Sequence, residues 1–230
     1  MFHTYITHYT KLVDRKKYII DHLNGMGISD YSFITRYDKE DITEDLLLKH
    51  YNDSEDGWNE ATSATGPAEY RRLNAAEISL AIKHVKTLGL FLESKHEYAL
   101  VIEDDCFFYE GCRSELIEEI ITGAPSGWDA IFPGGGFDHQ ILTIKSSTGS
   151  FMEKGSYLLV DHPASNTTSS IIYNRAGAEK TLSSSIPFAI AWDWHLNYAY
   201  KQNDLNIYHT NPYVCTQLST QGLEKSAIRE

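Results

Sequence analysis

Three adjacent carboxylates, Glu103-Asp104-Asp105, follow directly on a continuous apolar run, Tyr98-Ala99-Leu100-Val101-Ile102. An uninterrupted apolar stretch of this length suits a strand buried on both faces, so the acids should stand where a central strand opens. Crowded in a poorly screened place, they repel one another. A divalent cation relieves that repulsion, and hard carboxylate oxygens suit Mn2+ or Mg2+ better than soft metals. Beside a diphosphate, such a cation stabilises charge that builds on the departing phosphate oxygen. The plain alternative is a solvated acidic turn.

A second carboxylate with chemical potential is Asp193, in Ala191-Trp192-Asp193-Trp194-His195. Transfer to a hydroxyl acceptor needs a base to take the proton, and the flanking tryptophans suit stacking on a sugar ring. Its simplest alternative is the N-cap of the following helix. Arg15, at the start of the first predicted helix, is placed for a diphosphate, where the helix dipole and a cation add; a plain surface charge is the other reading. Glu77 and His84 share one side of a long helical pattern, because 77, 80, 84 and 88 follow helical spacing. They either contact a donor or pair within the core. Gly134-Gly135-Gly136 matches no phosphate-loop or dinucleotide pattern and reads as a turn near the site.

The elements that must position these groups follow from periodicity and punctuation. Strands are expected at Phe2–Thr7, Tyr31–Thr35, Tyr98–Ile102, Trp128–Phe132, Ile141–Ile144, Ser156–Val160, Ser169–Tyr173 and Asn206–His209. Helices are expected at Val13–Met26, Leu73–Ser94, Gly111–Thr122, Arg175–Leu182 and Trp192–Tyr200. The acidic stretch 44–70 reads as an insertion or mobile loop, with a short helix at Leu46–His50. The β-α-β start, the long helix and the central strand predict one α/β domain over residues 1–230 with a mixed, mostly parallel sheet. In such sheets ligands gather at the carboxyl ends of strands, which is where the acidic triplet falls.

Bulk properties narrow the partners. With 32 acidic and 20 basic residues the formal charge is -12, and Asp14-Arg15-Lys16-Lys17 and Tyr70-Arg71-Arg72 are too short to offset it, so nucleic acid is excluded as a partner. Three cysteines form neither a disulfide framework nor a Cys-x-x-Cys zinc pair. No apolar stretch approaches the roughly 20 residues of a membrane span, and the first residues lack a signal-peptide core; a reduced, cytoplasmic protein is expected. The sequons at Asn52 and Asn166 read as chance matches.

Tyr98-Ala99-Leu100-Val101-Ile102-Glu103-Asp104-Asp105-Cys106 resembles the signature of glycosyltransferase family 25, which includes lipopolysaccharide-type β-galactosyltransferases and procollagen galactosyltransferases. The likeness extends to His8–Arg15 with Gly27-Ile28, Glu77-Ile78 with Lys83-His84, Trp128–Phe132, Ser170–Ala178, Pro187–Asp193, Ile207-Tyr208 to Pro212, Gln217 and Ser226-Ala227-Ile228. Ser79, Lys83 and Asn174 depart from it, standing where the family usually has Gly, Ser and Ser. The resemblance implies a GT-A-like (Rossmann-like) fold, Mn2+ with Mg2+ as the alternative, and inverting transfer of a hexose, galactose or glucose, from a UDP-sugar to a hydroxyl of a glycan or protein. It further implies Glu103, Asp105 and His209 as metal ligands, Asp193 as base, and Thr7, His8, Arg15, Asp38, Glu77, His84 and Asp104 around the donor. For His209 the competing reading is an ordinary hydrogen-bonded histidine. The rival functions are a metal-dependent nucleotidyltransferase or phosphatase, and an inactive carbohydrate-binding module.

Overall fold

A computed structural model describes residues 2–63, 69–135, 143–151 and 155–219. The chain is a mixed α/β protein. Eight of its strands form one sheet in the order β2-β1-β3-β8-β5-β9-β7-β6: β1 (Phe2–Thr7), β2 (Tyr31–Ile34), β3 (Tyr98–Glu103), β5 (Ala130–Phe132), β6 (Ile144–Phe151), β7 (Gly155–Val160), β8 (Ser170–Asn174) and β9 (Ile207–Asn211). Helices α1 (Val13–Gly25) and α5 (Ser114–Thr122) cover one face. Helices α4 (Ala75–Glu93), α6 (Arg175–Ser183) and α7 (Trp192–Gln202) cover the other.

The sheet is not mostly parallel. Three of its pairings are parallel and four antiparallel. β8 runs against both β3 and β5, between which it lies. Its sequence, Ser170-Ile171-Ile172-Tyr173, reads like a parallel core strand because an apolar run reports burial on two faces, not direction. The alternation is visible in β3: Ala99 and Val101 pack with α4, while Leu100 and Ile102 pack with α1 and α5.

The long helix α4 begins with a capping box. Asn74 accepts from the Ala76 and Glu77 amides, and the Glu77 carboxylate returns to the Asn74 amide at 2.9 Å. From there Ile78, Ile82, Val85 and Phe91 enter the core.

Stretch 44–70 is more ordered in sequence terms than an insertion loop implies. It carries α2 (Glu44–His50) and α3 (Glu55–Thr62), capped by the Thr43 and Ser54 side chains. Buried Trp58 and Ala61 fasten α3 to α7 beside Ala189 and Ile190. Residues 64–68 of that stretch lie outside the described residues, as do Gly136, the start of the expected strand Ile141–Ile144, and Ser226-Ala227-Ile228.

Two short strands escaped sequence reasoning, β4 (Cys106–Phe108) and β10 (Cys215–Gln217), which pair antiparallel. Three residues of ordinary composition give no period to detect. No helix among the described residues is long and apolar enough to cross a membrane.

Candidate functional site

β1 and β3 run parallel with Thr7 opposite Glu103, so both strands end at the same edge of the sheet. From β1 the chain passes through His8 and Thr10 into α1. From β3 it turns through Asp104 and Asp105 into β4, which β10 holds in place. The Gln217–Cys106 register of that ladder brings Gln217 to the acidic turn.

The three acids are treated differently. Asp104 is neutralised: His8 Nδ1 lies 2.7 Å from one oxygen and the Arg15 guanidinium 3.1 Å from the other. Glu103 accepts a short hydrogen bond from the Thr168 hydroxyl and one of 2.9 Å from the Gln217 amide. Asp105 is buried, and its Oδ1 has no hydrogen-bond partner among the described residues. Burial, and then the charge of Glu103, push the Asp105 carboxyl up to about 6, although the Ser219 hydroxyl and Arg15 pull the other way. Arg15 is 3.8 Å from Asp105 Oδ2, too far for a hydrogen bond.

Two imidazoles face the same region with a nitrogen to spare. His8 Nε2 and His84 Nε2 are buried without hydrogen-bond partners. The His84 nitrogen stands 3.8 Å from Glu103 Oε1, and its ring stacks on Trp192 at 5.6 Å. Thr7 donates to the Ile102 carbonyl at 3.3 Å.

Asp193 sits in the first turn of α7, but the N-cap of that helix is Ala191, which makes no side-chain cap. The N-cap reading of Asp193 is therefore wrong by two residues. Its Oδ1 accepts from the Trp194 amide at 2.9 Å. Desolvation raises its carboxyl to about 7, and the charges of Glu103 and Glu77 add to the rise. The charge of Glu103 thus reaches both the acidic turn and Asp193.

Other expected site residues have structural tasks. Glu77 is consumed by the α4 capping box and by a two-pronged pair with Arg71, at 2.8 and 2.5 Å. Asp38 pairs with Lys83 at 2.5 Å and accepts from the amide and hydroxyl of Thr10. Burial pushes the Asp38 carboxyl up, but Lys83 and Thr10 outweigh it and hold the group below the ordinary carboxylate range. Lys83, almost wholly buried, also donates to the His8 carbonyl at 2.5 Å. It holds the loop that presents His8 to Asp104. His209 is not placed as a metal ligand. Its Nε2 donates to the Ala164 carbonyl and its Nδ1 meets the Tyr213 hydroxyl, both at 2.8 Å, while its ring stacks on Phe132. Both nitrogens are spent on the core. Gly134 belongs to packing too, since a Cβ there would lie 2.4 Å from the Cys215 carbonyl oxygen.

With Asp104 neutralised and His209 engaged, the turn leaves Glu103 and Asp105 as candidate ligands. That suits a hard cation that takes one or two carboxylates and completes its shell with water and phosphate. Among the described residues one group of three potential ligands lies close together, His3, Asp30 and His96, at the opposite end of β1. Its imidazoles stack 4.8 Å apart and 26° from parallel, and His3 already uses both ring nitrogens on Asp30 and Ser32.

Sequence reasoning did not single out Thr168, Gln217 or Lys83 as positioning groups. Gln217 and Lys83 did appear in the resemblance, the latter as a departure from it, and Thr168 appeared in a sequon.

No family model matches the chain, and neither does any curated protein. Among solved structures it is similar to A197 from STIV, with a TM-score of 0.42 and 11% identity, covering 90% of this chain and 80% of that one.

Proposed function

We propose that this chain is a metal-dependent, inverting glycosyltransferase that moves a hexose, galactose or glucose, from a UDP-sugar to a hydroxyl of a glycan or protein acceptor. The observation that carries the reading is the buried, unpartnered Asp105 oxygen beside Glu103. A carboxylate oxygen held out of water without a partner is costly, and a divalent cation held by Glu103 and Asp105 would remove that cost. When bound, Mn2+ or Mg2+ would supply a positive charge for the departing diphosphate.

The remaining work falls to the chain itself. Arg15, at the uncapped first turn of α1, offers a guanidinium to the diphosphate, and the amides of that turn add their dipole. His8, locked through Nδ1 on Asp104, keeps Nε2 for the donor. Asp193 removes the proton of the acceptor hydroxyl. A carboxyl near 7 is half ionised at neutral pH and is a stronger base than an ordinary aspartate. The parallel unit β2-β1-β3 is read as the nucleotide-binding part of a GT-A-like fold.

Melting temperatures with Mn2+, with UDP and with both test this reading. A ligand that binds only the folded state stabilises it by mass action. The two together should raise the midpoint by more than the sum of the separate shifts, and free UDP should appear from a UDP-sugar. A chain indifferent to Mn2+ would favour an inactive binding module. Cation binding without UDP release would favour the nucleotidyltransferase or phosphatase alternative.

A further inference from the structure

The loop between β7 and β8 holds two polar groups that none of the roles above uses. Asn166 Oδ1 and Thr167 Oγ1 are both shut off from solvent, and neither has a hydrogen-bond partner among the described residues. Leaving such groups unmatched is unfavourable. Looseness of the loop does not explain them, because the backbone around them is tightly held. Asn197 accepts from the Ala164 and Ser165 amides at 2.6 and 3.2 Å and donates to the Ser165 carbonyl at 2.7 Å. The Ser165 hydroxyl spans the Thr167 amide and carbonyl, at 3.1 and 2.9 Å.

The anchors of the loop locate it. At one end Thr168 donates to Glu103, the candidate cation ligand. At the other, Asn197 lies one turn beyond Asp193 on α7 and donates to the Asp193 carbonyl at 3.1 Å. The loop is therefore tied to the side chain of Glu103 at one end and, through Asn197, to the backbone of Asp193 at the other. A group passed between Glu103 and Asp193 would pass beside this loop.

We infer that Asn166 and Thr167 recognise hydroxyl groups of the transferred sugar and determine which sugar is accepted. This rests on the glycosyltransferase reading. A sugar hydroxyl donates and accepts at once, so it can satisfy an amide and a neighbouring threonine hydroxyl together. A diphosphate matches this pair less well, because it only accepts and the Asn166 oxygen also only accepts.

Binding of UDP, UDP-galactose and UDP-glucose in the presence of Mn2+, measured by calorimetry on the full chain, tests the assignment. Thr167→Val keeps the shape and removes the hydroxyl, and Asn166→Ala removes the amide. Each should weaken binding of at least one UDP-sugar by about threefold to tenfold, the loss of one hydrogen bond. UDP binding should stay unchanged, and Thr167→Ser should restore the sugar affinity. UDP-sugar affinities unchanged in both variants would overturn the inference and leave the glycosyltransferase reading standing. An equal loss for UDP and UDP-sugars would also overturn it, showing that the loop acts through the fold. A wild-type chain that binds neither UDP nor UDP-sugars would take both readings down.

Discussion

Replacing Asp105 by asparagine should make the metal-free protein more stable while removing its response to Mn2+. The carboxyl is pushed from 3.8 to about 6 in the folded state, a rise of about two units, and each unit corresponds to about 1.4 kcal/mol. The folded pKa is above the unfolded one, so the folded state holds the proton more tightly. Ionisation therefore works against folding: the penalty is absent below about pH 4, grows between pH 4 and 6, and is complete above about pH 6. Linkage puts it at about 3 kcal/mol at pH 8 and about half that at pH 5. Asparagine, which never ionises, escapes it. For a chain of this length about 1 kcal/mol moves the midpoint by roughly 2–4 °C, so at pH 8 the variant should melt roughly 6–12 °C higher. At pH 5 the gain should be about half that. Calorimetric melting at the two pH values, with chelator and then with Mn2+, reads all of this. A variant less stable than wild type at pH 8, or a gain equal at both pH values, would refute the reasoning. A full Mn2+ response in Asp105→Asn would refute the ligand assignment.

Asp193→Asn should keep Mn2+ and UDP binding but lose about 100-fold or more in transfer. The wild-type rate, measured against pH, should rise as Asp193 ionises, with an apparent pKa of about 7. Normal turnover in the variant would leave the base unassigned. Lys83→Met strands the buried Asp38 charge and should cost about 3–5 kcal/mol in denaturant unfolding, with part recovered in Lys83→Met/Asp38→Asn. Equal stability of the single and double variants would show that the pair does not matter as a pair. Gly177→Ala places a Cβ 2.0 Å from the Asp129 backbone oxygen. The helix α6 must then shift, at a cost of about 1–3 kcal/mol, and a silent substitution would show that α6 does not seat as closely as described.

The chemistry was legible before the fold wherever composition and adjacency carry it. An apolar run ending in Glu103-Asp104-Asp105 forces crowded acids to the end of a buried strand whatever its neighbours, and β3 does end at Glu103. The bounds of β1 were equally local in origin. What each acid does was not local. Asp104 is silenced by His8 and Arg15, which lie 96 and 89 residues away along the chain, and Glu103 is steered by Thr168 and Gln217 from elements with no periodic signal. His209 resembles a ligand in sequence and is a core histidine in space, because Ala164 and Tyr213 meet its two nitrogens. Strand direction was hidden for a related reason: burial on both faces dictates apolar residues in β8 whichever way it runs. Sequence alone determines which groups are present and how neighbours along the chain are spaced. Only the tertiary structure decides which charges are cancelled, since hydrogen bonds and electrostatic forces act over a few ångströms of space, and folding, not chain order, sets those distances.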